Sequence, residues 1–254
     1  MRLKDKVVVL TGASSGIGKE VTLLFAKEGA NIVAAARRLE KLNDLVEIDK
    51  RKEYAGEIYP VETDVTKDED IEQLIDMTIE KYGRIDVLIN NAGVLDNYQS
   101  VEHVDDDTWY NIFDVNVHGL MKLTRKAIPF MRKNKSGVII NTASVGGLHG
   151  MRGGLGYVAT KHAVVGMSKN IAYMYANEGI RCNVVAPGNI ATDISKKIKE
   201  PDMETLDKLM AGYKLFPVAG DPKDLAKTYL YLASDDSTFV NGAVIVVDGG
   251  WTAY

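Results

Sequence analysis

The chain of 254 residues contains one cysteine, Cys182, so an internal disulfide framework and a cysteine-rich zinc site are both excluded. Its four histidines, His103, His118, His149 and His162, show no metal-ligand spacing. No apolar run approaches the roughly 18 residues of a membrane span. The start, MRLKDKVVVLTG, lacks the long apolar stretch and cleavage site of a secretory signal. No Pro/Gly/Ser linker, internal repeat or low-complexity tract divides the chain. The formal charge of −4 argues against a nucleic-acid surface, and 46% hydrophobic residues argue against disorder. The expectation is a soluble, cytoplasmic enzyme or binding protein, one domain over 1–254, with no metal, nucleic-acid or membrane partner.

What is present is alternation. Short β-branched runs recur at Lys6–Thr11, Asn31–Ala36, Glu57–Glu62, Ile85–Asn90, Gly137–Ala143, Ile180–Ala186 and Ala243–Val247. Most are apolar throughout, which suits a sheet covered on both faces. Helical stripes lie between them, such as Ile17, Val21, Leu24 and Phe25, or Ile71, Leu74, Ile75, Thr78 and Ile79. Thr66-Lys-Asp-Glu69 reads as a capping box ahead of the second stripe. Strand and helix in turn imply right-handed βαβ units. The expected fold is α/β: a Rossmann-like, doubly wound, seven-stranded parallel sheet with helices on both faces. Residues 192–216 break the rhythm with a lysine-rich, proline-interrupted stretch after the sixth strand. At the carboxyl end of a strand in an open α/β sheet, such an insertion reads as a substrate lid.

The first strand runs into Thr11-Gly12-Ala13-Ser14-Ser15-Gly16-Ile17-Gly18, and a helix follows at once. Glycines let the backbone turn tightly against a pyrophosphate, while the helix N-terminus offers unpaired N–H groups. The spacing is G-x-x-x-G-x-G, and no Gly-Lys-Ser/Thr follows to make a P-loop.

With this turn stand further landmarks in order: Asp64-Val65, NNAG at 90–93, Asn116 within VNVHG, Ser144 within NTASVGG, Tyr157-Val-Ala-Thr-Lys161, Pro187-Gly188-Asn-Ile-Ala-Thr192, Asn241-Gly242 and Asp248-Gly249-Gly250. Over nearly its whole length the chain resembles the short-chain dehydrogenase/reductase family. The resemblance implies an NAD(P)-dependent oxidoreductase that moves a hydride between nicotinamide and a secondary alcohol or ketone. Tyr157 and Lys161, four apart, share one helix face. A nearby lysine cation favours the phenolate and lowers the tyrosine pKa from about 10. The resemblance gives Tyr157 the acid/base role, Lys161 the nicotinamide ribose as well, Ser144 the substrate oxygen, and Asn116 a water in a proton relay. It also implies cofactor contacts from Gly12, Ser14, Ser15, Gly16, Ile17 and Gly18 in the turn, Asp64 and Val65 at the adenine, Asn91, Ala92 and Gly93 beside the adenosine, and Pro187, Gly188, Ile190 and Thr192 around the carboxamide. Capping ahead of Thr66 is the other reading of Asp64.

The second strand ends in Ala36 and is followed by Arg37-Arg38. The carboxylate that would bind a ribose 2′-hydroxyl is missing, and Arg37, with Arg38 and Ser14 in support, can meet a 2′-phosphate. NADP is the expected cofactor, with NAD the other candidate. Three substrate classes compete: 3-oxoacyl chains on an acyl carrier protein, sugars or polyols, and steroids or other hydrophobic alcohols. Phe130 (or Pro129) and Tyr173 stand where carrier-dependent members have arginines. Gly146-Gly147 and Gly153-Gly154 shorten the pocket floor, with Leu95, Val145, Leu148, Met151 and Leu155 nearby, which favours a bulky apolar substrate. His149 and Arg152 read either as substrate contacts or as solvated loop residues. Cys182 reads as an inert buried thiol, and Asp105-Asp106-Asp107 as a helix start. The family pattern implies a homotetramer. A nucleotide-sensing binding protein is the non-enzymatic alternative, against which the complete serine, tyrosine, lysine and asparagine set stands.

Overall fold

The computed structural model describes residues 1–194, 196, 198, 200–213 and 219–253. Its elements are β1 (Val7–Thr11), α1 (Gly16–Lys27), β2 (Asn31–Ala36), α2 (Leu39–Lys52), β3 (Glu57–Glu62), α3 (Asp68–Tyr82), β4 (Val87–Asn90), α4 (Asp106–Phe113), a π-turn (Asp114–His118), α5 (Gly119–Asn134), β5 (Gly137–Thr142), α6 (Leu155–Met174), β6 (Ile180–Pro187), α7 (Met203–Tyr213), α8 (Pro222–Ala233) and β7 (Val244–Val247). The strands form one sheet in the order β3-β2-β1-β4-β5-β6-β7, and every pairing is parallel. This is the doubly wound architecture expected from the alternation.

Period-two alternation sorts each strand between two cores. Val8, Leu10, Ile32 and Ala34 face Val21 and Phe25 of α1, Leu42 and Leu45 of α2, and Tyr229 of α8. Val9, Val33 and Ala35 face Ile71, Leu74 and Ile75 of α3, Leu123 and Met131 of α5, and Ala172 of α6. Cys182 is fully buried in the second core, where burial pushes its thiol up to about 12. Asp105 caps α4, its carboxylate accepting the Thr108 N–H at 2.7 Å. The capping box at Thr66 does not form. α3 starts at Asp68 behind Lys67 with no side-chain cap. The Thr66 hydroxyl instead donates to Asp64 at 2.8 Å, and Asp70 accepts the Asp64 N–H at 2.8 Å.

Behind the carboxyl ends of β4 and β5 lies a buried polar knot. The Asn90 amide donates to Thr124 Oγ1 at 3.0 Å and to Asn141 Oδ1 at 2.8 Å, and the Asn141 amide donates to Ser168 Oγ at 2.8 Å. These bonds join two central strands to α5 and α6. Asn141→Ala removes the shared partner and leaves buried donors and acceptors short. A loss of about 1–3 kcal/mol is expected, which lowers the melting temperature by about 2–12 °C in a domain of this size. Thermal and urea melts of the variant check this.

Candidate active site

β1 is flanked by β2 on one side and β4 on the other, so successive connections diverge there and leave a crevice at the carboxyl ends of the strands. It is a cleft of about 580 Å³. Every residue assigned above to catalysis or cofactor contact lines it except Gly18 and Asn116, which lie behind its wall.

The glycine turn forms one end. Gly12 and Gly16 take φ of +70° and +53°, the left-handed region that glycine enters without penalty. A Cβ on Gly12 would stand 2.9 Å from Asn91 Nδ2, and one on Gly18 only 2.2 Å from the Gly12 carbonyl oxygen. Asn91 closes the turn from β4, its amide donating to the carbonyls of Thr11 at 3.2 Å and Gly12 at 3.3 Å. Ser15, the N-cap of α1, makes no side-chain cap. The first N–H groups of that helix are therefore left to a ligand at the cleft, and the arrangement fits a dinucleotide pyrophosphate.

Beyond the turn, Arg38 reaches back from the start of α2. Its guanidinium donates to Ser14 Oγ at 3.1 Å and Ser15 Oγ at 3.2 Å. Arg37 acts instead on Asp64. Against the opposing effect of burial, the Thr66 N–H and hydroxyl and the Arg37 charge hold that carboxyl below its ordinary value. Asp64 thus both braces the turn before α3 and faces the cleft, so its two readings are compatible.

At the other end α6 brings Tyr157 and Lys161 to the cleft beside Ser144, just past β5. Lys161 is 5% exposed, and its Nζ donates to the Thr142 carbonyl at 2.9 Å and lies 5.6 Å from the Tyr157 ring centroid. Burial pulls its ammonium down to about 8. Ser144 Oγ accepts the Gly146 N–H at 3.1 Å, so its own hydrogen can serve a substrate oxygen. Asn116 sits in the π-turn between α4 and α5. Its oxygen accepts the Val94 N–H at 2.9 Å, and its amide donates to the Val94 carbonyl at 3.0 Å and to Thr160 Oγ1 at 3.1 Å.

Three of the four loop glycines differ from their expected purpose, whereas a Cβ on Gly146 would stand 3.3 Å from the Tyr157 ring and 3.5 Å from Ser144 Oγ. A Cβ on Gly147 would stand 2.6 Å from the Lys161 carbonyl oxygen, one on Gly153 2.6 Å from the Tyr157 ring, and one on Gly154 2.4 Å from Asp96. They permit close packing around α6 more than they empty a pocket floor. Leu95 and Val145 line the cleft as expected, joined by Tyr98, Ile194 and Trp251. Leu148, Met151 and Leu155 are each over a third exposed and fall outside the lining. Arg152 does line it, stacked 4.5 Å over the Trp251 ring, whereas His149 is exposed. Tyr98 and Asp96 carried no sequence signal, since neither belongs to a motif, whereas Trp251 follows Gly249-Gly250 in an apolar ending that suits burial and is buried here. Of the expected lid, residues 195, 197, 199 and 214–216 lie outside the described residues. The remainder includes α7, and Thr192, Asp193 and Ile194 face the cleft. Among the described residues no helix is long and apolar enough to cross a membrane, and no cluster of three metal-ligating side chains occurs.

A family model described as enoyl-(acyl carrier protein) reductase matches residues 12–252. The chain is 40% identical over 253 residues to 3beta-hydroxysteroid dehydrogenase 2 of Eggerthella lenta, covering 99% of this chain and 96% of that protein. It is also 40% identical over 251 residues to the 3-oxoacyl-(acyl-carrier-protein) reductase of Thermotoga maritima, covering 98% and 99%. The crystal structure of levodione reductase superposes with a TM-score of 0.91 at 32% identity, covering 100% of both chains. The chain belongs to the short-chain dehydrogenase/reductase family and is an alcohol/ketone oxidoreductase that uses a nicotinamide cofactor.

Gly18→Ala places a methyl against the Gly12 carbonyl and must open the turn. At about 1–3 kcal/mol for overpacking, dinucleotide affinity is expected to fall about 5–150-fold. Titration of cofactor fluorescence, with circular dichroism as the check on folding, measures it.

Proposed function

We propose that this short-chain dehydrogenase/reductase interconverts a ketone and a secondary alcohol on a bulky, largely apolar substrate such as a hydroxysteroid, with NADP(H). The observation that carries the reading is the buried Lys161 ammonium set one helical turn beyond Tyr157, with Ser144 beside them at the end of β5. A bound nicotinamide supplies or receives the hydride. In reduction, Ser144 donates a hydrogen bond to the substrate carbonyl oxygen, and Tyr157 gives that oxygen its proton as negative charge develops there. In oxidation the Tyr157 phenolate takes the proton back. Lys161 stabilises the phenolate by its charge and holds the ribose hydroxyls. The side chain of Asn116 is committed to Val94 and Thr160, so a relay water near Lys161 falls to its main chain in the π-turn.

The substrate class follows from the cleft wall, where Leu95, Tyr98, Val145, Ile194 and Trp251 present apolar surface. The name of the Eggerthella lenta relative agrees with it. A carrier-bound 3-oxoacyl chain is the second reading, favoured by the equal identity to the Thermotoga maritima reductase. Against it, Tyr173 is exposed and Phe130 half-buried where a carrier would meet arginines. Three of the five cations of α5 also already pair within the chain, Lys122 with Asp68, Lys126 with Glu72 and Arg132 with Glu178. The described parts of the 192–216 segment, Thr192–Ile194 at the cleft and α7, are read as its lid. The exposed Val246 on β7 and the exposed Phe239 in the loop ahead of it are apolar surface that a homotetramer would cover, and the lone buried thiol suits the cytoplasm.

Tyr157→Phe is expected to lower turnover of a 3-ketosteroid by about 10²–10⁴-fold while cofactor binding persists; retained turnover overturns the mechanism. Lys161 loses its charge as pH rises through about 8, so kcat/KM for reduction is expected to decline above that pH, read from a pH–rate profile.

For the cofactor, Arg38 takes first place over Arg37, because its guanidinium already lies on the two serines of the turn. One charge-assisted hydrogen bond contributes about 1.5–3 kcal/mol. Arg38→Ala is expected to weaken NADPH binding about 10–150-fold and NADH binding little. A wild-type preference for NADH in kcat/KM contradicts the assignment.

A further inference from the structure

Asp96 lies in the segment between β4 and α4, is 2% exposed, and takes no part in the proton transfers above. One carboxylate oxygen accepts the Tyr157 N–H at 3.0 Å and the other the Tyr98 N–H at 3.2 Å. The N–H groups of Gly154 and Gly156 also lie close enough to lower its pKa. Tyr98 belongs to the same segment as Asp96, but Tyr157 and Gly156 lie in the first turn of α6, whose own N-cap residue is Gly154 and supplies no side chain. The helix that carries Tyr157 and Lys161 is therefore capped by a carboxylate from another segment, which satisfies its orphan donors and meets its positive end.

The fit is close. A Cβ on Gly154 would stand 2.4–2.6 Å from the carboxylate atoms, so the glycine provides the space the carboxylate fills. Tyr98 is held at φ +57°, a left-handed conformation costly for a bulky residue, and its N–H bond to Asp96 helps keep it there. The rest of the segment is fastened too. Leu155 N donates to the Gln99 carbonyl at 2.9 Å. Asp202, just before α7, donates its N–H to the Asn97 carbonyl at 2.9 Å and accepts the Ser100 N–H at 3.2 Å. Burial pushes the Asp96 pKa up, and the backbone N–H groups pull it back.

We propose that Asp96 is a positioning residue of this site: received in the space left by Gly154, its carboxylate fixes the first turn of α6 and so places the Tyr157 hydroxyl against Ser144 and Lys161. The proposal rests on Tyr157 being the proton donor. Displacing a reacting group by about 1 Å can cost about 10²-fold in rate.

The test uses Asp96→Asn, Asp96→Ala, Gly154→Ala and the double variant Asp96→Ala/Gly154→Ala. Turnover is measured with a 3-ketosteroid and NADPH. The ionisation of Tyr157 is read without substrate, as the tyrosinate absorbance difference between each protein and its Tyr157→Phe counterpart. Asp96→Asn is expected to bind NADPH within about twofold of wild type, since the glycine turn is untouched, and to lose about 10–100-fold in kcat. Tyr157 is expected to ionise at lower pH, because a buried negative charge at the head of its helix is gone. Gly154→Ala keeps that charge but displaces it, and is expected to lower kcat on its own, which serves the test if Asp96→Asn fails to fold. In the Asp96→Ala background the added methyl has room, so the double variant is expected to be no worse than Asp96→Ala. Wild-type kcat and ionisation in Asp96→Asn, or effects of Asp96→Ala and Gly154→Ala that simply multiply, overturn the proposal. Retained turnover in Tyr157→Phe overturns the proton-donor reading and this one with it. Loss of turnover in Tyr157→Phe beside wild-type kcat in Asp96→Asn overturns the positioning role alone.

Discussion

A lysine ammonium held at 5% exposure is costly, because charge taken out of water must find compensation. The chain around the cleft is arranged to supply it. The Thr142 carbonyl accepts from Nζ, the Tyr157 ring lies nearby, and Gly147 lets the loop after β5 lie against the Lys161 backbone. For the proton transfer proposed for Tyr157, the same position supplies the neighbouring cation. The burial that weakens the lysine also strengthens its electrostatic hold on a neighbouring phenolate.

A second constraint is the parallel sheet itself. It puts all strand ends that bear functional residues on one side, and its switch point between β1 and β4 opens the crevice there. β1 brings the glycine turn, β4 brings Asn91, and β5 brings Thr142 and Ser144. The buried knot of Asn90, Asn141, Thr124 and Ser168 ties the last two strands to the helices behind them. Positions at the cleft therefore inherit the rigidity of the core.

Much of this was legible in the residues. β2 and β3 fall on the expected bounds, and the other strands differ by one or two residues where polar groups such as Asp86 take over pairing at their ends. The motif residues could be placed because each motif joins a local backbone requirement to a chemical one. Long-range contacts were not legible. The capping box at Thr66, by contrast, failed for a local reason, since Asp64 two residues back takes both the Thr66 N–H and its hydroxyl in an Asx turn. The sequence ranks Arg37 ahead of Arg38, yet Arg38 is the one that lies on the serines of the turn while Arg37 acts on Asp64, because their directions depend on how α2 leaves the sheet. Asp96 was invisible for the same reason: it acts on a helix 61 residues away. The loop glycines were seen but misread, since a glycine announces space without saying whether backbone, ring or ligand occupies it.

The strand order also dictates how the chain assembles as it is made. β1 pairs with β2 about 25 residues later, but its other edge waits for β4. At synthesis rates of about 5–20 residues per second, that apolar edge of β1 stays uncovered for about 4–16 s after β1 emerges. An exposed strand edge of this kind is a template for pairing with another chain. The nascent N-terminal half therefore depends on shielding until residue 90 has been delivered, and the crevice that will take the cofactor is absent throughout that interval.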